Sequence, residues 1–128
     1  MSFFDKIFGE KATESPISKV NWIPLESISE LDDITLLSNT KTVLIFKHST
    51  RCSISRMVLR QFEREFDFEE SITPYLLDLL VHRNISNEIA TRFAIEHQSP
   101  QIIVIKDGKV MYNASHESIV AERLKPFS

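Results

Sequence analysis

The run Thr42-Val43-Leu44-Ile45-Phe46, inside a continuous β-branched and aromatic stretch over residues 41–47, constrains this chain more than any other feature. A strand with one face in water alternates apolar and polar residues. A strand without that alternation has to be covered on both faces. The chain therefore needs a sheet with this strand at its centre and helices on either side. The residues after the strand narrow the choice: Lys47-His48-Ser49-Thr50-Arg51-Cys52, and then Ile54, Val58, Phe62 and Phe66 at intervals of four, with Met57 and Leu59 widening the stripe. That spacing predicts an amphipathic helix of about four turns, ended by Glu69-Glu70-Ser71, which packs on the sheet. The chain's one cysteine thus sits where strand turns into helix. A thiol in a first helical turn faces unpaired backbone N–H groups and the positive end of the macrodipole, and both favour thiolate over thiol. Cys52 is a candidate nucleophile, against the plainer reading of a small apolar residue filling a core gap.

The remaining segments alternate between strand and helix. Trp22-Ile23-Pro24-Leu25 suits a brief strand with its proline near a sheet edge. Ser27 or Ser29 is placed to cap a helix through Leu31, Ile34 and Leu37. Pro74 to Val81 reads as a second buried strand, in which Asp78 requires a hydrogen bond or a place near the strand end. Ser86 is a suitable N-cap for a helix carrying Ile89, Ala90, Phe93 and Ala94 and running out near Glu96. Ser99-Pro100 precedes a strand from Gln101 to Ile105, the turn Asp107-Gly108 and a strand from Lys109 to Asn113, together a β-hairpin. Ser115 or Glu117 opens a last helix through Ile119, Val120 and Leu124. The expected order is β-α-β-α-β-α-β-β-α, an α/β chain with a central mixed sheet flanked by helices.

At 128 residues and 42% hydrophobic content the chain fits one compact domain, expected over residues 21–128, preceded by an apolar segment and linker over residues 1–20. In that segment Phe3, Phe4, Ile7 and Phe8 share one face of a potential two-turn helix. Asp5 and Lys6 interrupt the run, so neither a secretory signal nor a membrane span is expected. A net charge of −3 supplies no field for nucleic acid or anionic membrane, and neither partner is expected. One cysteine excludes an internal disulfide and fits a reducing cytoplasm. With only Gly9 and Gly108, no glycine-rich phosphate cradle exists. His48, His82, His97 and His116 show no spacing of metal ligands, so no metal and no bound cofactor are expected.

The element order, with a cysteine between the second strand and second helix and a proline just ahead of a hairpin, resembles the thioredoxin superfamily over residues 22–126. Four strings narrow the resemblance: residues 47–55 around Cys52, Val81-His82-Arg83-Asn84-Ile85-Ser86-Asn87, His97-Gln98-Ser99-Pro100-Gln101 and Ala114-Ser115-His116-Glu117. Together they resemble the monothiol bacilliredoxins, the YtxJ-like proteins of the bacillithiol system. The family pattern has Pro directly after the cysteine, where this chain has Ser53, which adds a backbone N–H and a hydroxyl.

The resemblance implies a thioredoxin-like fold and a monothiol thiol–disulfide oxidoreductase. Its Cys52 would take bacillithiol from protein mixed disulfides, with a low-molecular-weight thiol as co-substrate and S-thiolated proteins as clients; the chain is expected to work as a monomer. Ser55 occupies the second position of the dithiol Cys-x-x-Cys motif; a hydroxyl cannot resolve a disulfide but can hydrogen-bond a thiolate. From Ile34 to Phe62 no acid occurs, whereas Lys41, Lys47, Arg51, Arg56 and Arg60 are basic, a local reversal that suits an anionic thiol such as malate-bearing bacillithiol. Arg51 is the best placed of them, with Arg56 and Arg60 read as a solvated helix face. His48 is a candidate proton acceptor and Lys47 a candidate for the substrate rim. The resemblance further implies a cis Ser99-Pro100 bond facing Cys52, with the Ser99 backbone free to pair with a substrate in β-fashion. It also places Ser115 and His116 in a neighbouring loop. Arg83 is a secondary candidate for holding a carboxylate. Two other readings stay open: a monothiol glutaredoxin-like protein using glutathione, although the Gly-Phe and Gly-Gly signatures of those proteins are missing, and a non-catalytic binding module or redox sensor.

Overall fold

The computed structural model describes residues 20–128. The apolar segment and most of the linker expected over residues 1–20 lie outside the described residues. The elements are β1 (Ile23–Pro24), α1 (Ser29–Leu37), β2 (Thr42–His48), α2 (Ser53–Glu65), β3 (Ile72–Asp78), α3 (Arg83–Arg92), β4 (Gln101–Lys106) and β5 (Lys109–Ser115). Two 3-10 segments, His116–Ser118 and Ala121–Phe127, close the chain. The strands form one sheet in the order β1-β3-β2-β4-β5. β2 pairs in parallel with β3 and antiparallel with β4, so it is the central strand, as its unbroken apolar run requires.

All seven residues of β2 are buried. Because successive side chains point to opposite faces, Leu44 and Phe46 join one core while Val43 and Ile45 join another. The first core lies under α2, where Phe62 and Phe66 meet Phe46, Ile72, Ile102 and the terminal Leu124. The second lies under α1 and α3, through Leu31, Ile34, Ile85 and Ile89. Each fully buried apolar side chain of this size contributes about 1.5–3 kcal/mol. The aromatic rings are packed specifically: Phe62 stands 5.4 Å from Phe46 in an edge contact and 5.3 Å from Phe66 in a stack. Trp22 stacks on Phe62 and donates its indole N–H to Glu63 Oε2 at 2.7 Å, which fastens the edge strand to α2.

Several boundaries differ from those expected. α2 stops at Glu65, because Phe66 turns extended to enter the core. β3 runs over 72–78 rather than 74–81. Leu79 lies past the last strand residue, buried, and its N–H still donates to the His48 carbonyl at 3.0 Å. Asp78 ends the strand and accepts the Leu80 N–H at 3.1 Å, which meets the requirement for a partner. α3 starts at Arg83, three residues before the expected cap, and Ser86 lies inside it, buried. Neither Ser27 nor Ser29 caps α1; the Glu30 carboxylate reaches back to the N–H groups of Glu26 and Ser27 at 2.7 and 2.9 Å.

The last α-helix is replaced by the two 3-10 segments. Ile119 and Val120 are extended, which interrupts the helix, and Pro126 cannot donate to a ladder. The apolar periodicity there served burial instead: Ile119, Ala121 and Leu124 pack into the first core. The hairpin is as expected but longer on both strands, and Asp107 and Gly108 take φ of 54° and 72° at its turn. Ser38, at the end of α1, holds that turn by accepting the N–H of Asp107 on its carbonyl and that of Gly108 on its hydroxyl, each at 2.8 Å.

Candidate active site

At the carboxyl end of β2 the chain leaves the sheet through Ser49-Thr50-Arg51 and enters α2 at Cys52. Cys52 is the N-cap residue, extended at φ −97° and ψ 121°, half-buried and a free thiol. Its carbonyl accepts the Arg56 N–H at 3.0 Å and its own N–H donates to the Ser49 carbonyl at 3.2 Å, so the loop is a closed turn. The Arg56 guanidinium donates to the Thr50 carbonyl at 2.9 Å and braces the same loop from the helix. Ser53 is the first helical residue, and the helix starts there without a proline.

Beneath this turn lies a buried polar group. Ser55 is fully buried one helical turn beyond Cys52, and its hydroxyl accepts the Ser49 N–H at 3.0 Å. His48 Nδ1 stands 2.8 Å from the same oxygen. His48 belongs to the α2 face of β2, since it follows Lys47 and alternates with it. Burial lowers the His48 pKa below the ordinary histidine value; Asp78 and Glu63 oppose that shift and Arg56 reinforces it. The imidazole is reached from solvent through a cleft of about 210 Å³ lined by His48, Thr50, Asp78 and His82 on its polar side and by Trp22, Pro24 and Leu76 on its apolar side.

The Ser99–Pro100 bond is cis. Lys47 pairs with Gln101 across the β2–β4 ladder, which brings Pro100 to the level of His48, at the same end of the sheet as Cys52. The Pro100 carbonyl accepts the N–H of His116, which holds a left-handed φ of 56° to make that bond. The 3-10 turn at His116–Ser118 in turn packs against α2. Ser99 makes no backbone hydrogen bond among the described residues, and its Oγ is buried without a hydrogen-bond partner there.

Of the candidate residues, the fold joins His48 to Ser55 side chain to side chain, and Pro100 to His116 through the backbone. Arg51 is exposed beside Cys52, and Ser115 ends β5 opposite Gln101. Arg83 is exposed at the start of α3 and makes no ion pair among the described residues. Lys47 is not at the rim: it is fully buried and its ammonium donates to His97 Nδ1 at 2.8 Å. The reason is register, because alternation sends Lys47 to the face opposite Ser55. Sequence reasoning missed Arg56 as a brace and His97 as a partner. The signal for the second was available, since a lysine inside an apolar central strand demands an acceptor. Among the described residues no cluster of three or more His, Cys, Asp or Glu is placed to hold a metal ion, and no helix is long and apolar enough to cross a membrane.

A family model described as monothiol bacilliredoxin BrxC matches residues 23–124. The chain belongs to the monothiol bacilliredoxin family. Among solved structures it is similar to one assigned provisionally as an oxidoreductase with a thioredoxin fold, at 30% identity and a TM-score of 0.71, covering 81% of this chain and 90% of that one. It also resembles thioredoxin from Malassezia sympodialis, at 16% identity and a TM-score of 0.63 over 90% of this chain and 94% of that one. Thioredoxin from Trypanosoma brucei brucei, at 14% identity and a TM-score of 0.63 over 90% and 96%, shows the same fold. This bacilliredoxin-family chain therefore has the thioredoxin fold, and its membership supports thiol redox chemistry. With one cysteine, such chemistry takes its second sulfur from another molecule.

Proposed function

We propose that this protein removes bacillithiol from protein mixed disulfides through Cys52. The Cys52 thiolate attacks the bacillithiol sulfur of the client's mixed disulfide. The client sulfur leaves with the electron pair and takes up a proton, and bacillithiol is now joined to Cys52. A second bacillithiol thiolate attacks the bacillithiol sulfur of that intermediate, which frees Cys52 as thiolate and releases bacillithiol disulfide. No net oxidant is required, because each step exchanges one disulfide for another.

The observation that carries this reading is the hydroxyl of Ser55, buried one turn beyond Cys52 and held by the Ser49 N–H and His48. A serine hydroxyl has one proton and two lone pairs. When His48 carries its proton on Nδ1, it donates to Ser55, and the Ser55 proton is free to serve the Cys52 sulfur. When the proton is on Nε2, Nδ1 accepts a hydrogen bond from the Ser55 hydroxyl instead. The imidazole thus sets whether the hydroxyl supports the thiolate, and the cleft beside His48 connects that choice to solvent. The cis Ser99–Pro100 segment, whose Ser99 backbone is unpaired among the described residues, offers an edge for the substrate in β-fashion. Exposed Ile54, Met57 and Val81 near the cysteine add an apolar face suited to a protein client, and Arg51 adds a charge for the thiol's carboxylates.

Intact mass spectrometry after incubation with bacillithiol disulfide or with glutathione disulfide tests this directly. The expected result is a mass gain of one bacillithiol, faster than any glutathione adduct, reversed by excess thiol and lost in Cys52→Ser. Equal labelling by both disulfides would remove the assignment to bacillithiol. An inert Cys52 would remove the enzymatic reading.

A further inference from the structure

Lys47 is fully buried at the end of the central strand, and the proposed exchange chemistry makes no use of it. Removing an ammonium from water is costly unless an acceptor replaces the lost hydration. Here the acceptor is His97 Nδ1 at 2.8 Å, and the same nitrogen lies 3.1 Å from the Ser86 hydroxyl within α3. Gln101, the ladder neighbour of Lys47 and itself only 1% exposed, holds the residues on either side of His97. Its amide nitrogen donates to the Glu96 carbonyl at 3.1 Å, and its amide oxygen accepts the Gln98 N–H at 3.3 Å. Three consecutive residues, 96 to 98, are therefore anchored by side chains from β2, α3 and β4. The next two residues are Ser99 and Pro100.

We infer that Lys47, Gln101 and His97 form a positioning network that holds the Ser99–Pro100 segment in the shape that receives the substrate. These residues act through the backbone they anchor and touch no substrate themselves; the inference rests on the proposed role of Ser99 as the substrate edge. The hydrogen-bond chemistry makes the network sensitive to protons. A neutral imidazole with its proton on Nε2 has one lone pair, at Nδ1, to accept from Lys47. A doubly protonated imidazole has none: its Nδ1–H can still donate to Ser86, but it repels the Lys47 ammonium. The groups facing His97 are Lys47 from β2, Arg83 and Ser86 from α3 and Gln101 from β4, with Glu96 beside it in sequence. Burial, Lys47 and Arg83 together lower the His97 pKa below the ordinary histidine value, so the network is assembled at neutral pH and opens on acidification.

Steady-state kinetics on a bacillithiol-modified protein, together with amide hydrogen exchange at Gln98, test this. His97→Asn keeps an acceptor near the position of Nδ1 and removes the titration; it should hold the wild-type KM at neutral pH and lose the rise in KM at acid pH. His97→Leu should raise KM about fivefold, equivalent to about 1 kcal/mol, with kcat changed far less. Lys47→Met should raise KM to a similar extent while raising the thermal midpoint, a combination that a merely structural role does not produce. Exchange at Gln98, whose N–H the Gln101 side chain holds, should quicken in His97→Leu and Lys47→Met and stay as in wild type in His97→Asn. Wild-type exchange and KM in His97→Leu would overturn the inference. Quickened exchange in a protein whose wild type turns over no bacillithiol-modified client would leave the network standing and overturn the proposed function instead.

Discussion

Burial pulls the Lys47 ammonium from 10.5 to about 8. The folded chain therefore binds this proton less tightly than the unfolded chain does. Below pH 8 both states are protonated and the full cost of the buried charge is present, about 3 kcal/mol. Between about 8 and 10.5 the unfolded state holds more protons, so stability should rise with pH through this window and level off above it. Urea unfolding of wild type and Lys47→Met at several pH values checks this: the variant should be more stable at neutral pH and should lose most of that upward slope. At this scale the sequence showed the candidate nucleophile and the serine one turn on, because both are defined by neighbours within a few residues. It did not show that Ser55 binds His48, since seven positions separate them and only the descent of β2 beneath α2 brings them within 2.8 Å.

α3 shows how an element ends and what its ending positions. The helix closes at Phe93, and Ala94 then takes a left-handed φ of 54° while the Ile95 N–H returns to the Ala90 carbonyl at 3.1 Å. That six-to-one bond is the Schellman closure, in which glycine is preferred because a Cβ is disfavoured at this φ by about 1–2 kcal/mol. Ala94→Gly should therefore raise the unfolding free energy by about 1 kcal/mol, offset in part by the greater freedom of glycine in the unfolded chain. Thermal or urea unfolding measures it; an unchanged or lower midpoint would contradict the strain argument. The ending was hidden in the sequence because Phe93 and Ala94 continue the helical spacing, whereas Phe93 packs against the second core from beyond the helix. The same confusion of burial with helicity gave the expectation of a final α-helix, where Ile119, Ala121 and Leu124 are buried from 3-10 turns and extended residues.

Across the whole molecule, one aromatic column ties the edge strand, the central strand and α2 together. Phe62 is 1% exposed and contacts the rings of Trp22, Phe46 and Phe66. Phe62→Ala should cost about 3–5 kcal/mol, a large part of the roughly 5–15 kcal/mol that holds an ordinary domain. Its urea midpoint should fall with little change in slope, and Cys52 should become more accessible to alkylation because α2 loses its seat. What the sequence determined by itself was everything written in short-range pattern: a two-sided central strand, helices with one apolar face, a hairpin turn at Asp107-Gly108 and a thiol at a strand–helix junction. Those features depend on residues two to four positions apart, where backbone geometry alone sets the period. What only the tertiary structure decided was the assignment of faces and partners. Register sent His48 toward Ser55 and Lys47 away from the thiol toward His97, fifty residues distant, and long-range packing turned an expected last helix into two short turns. Pairings across such separations are fixed by strand alignment and by the shape of the core, and neither is encoded in the spacing of nearby residues.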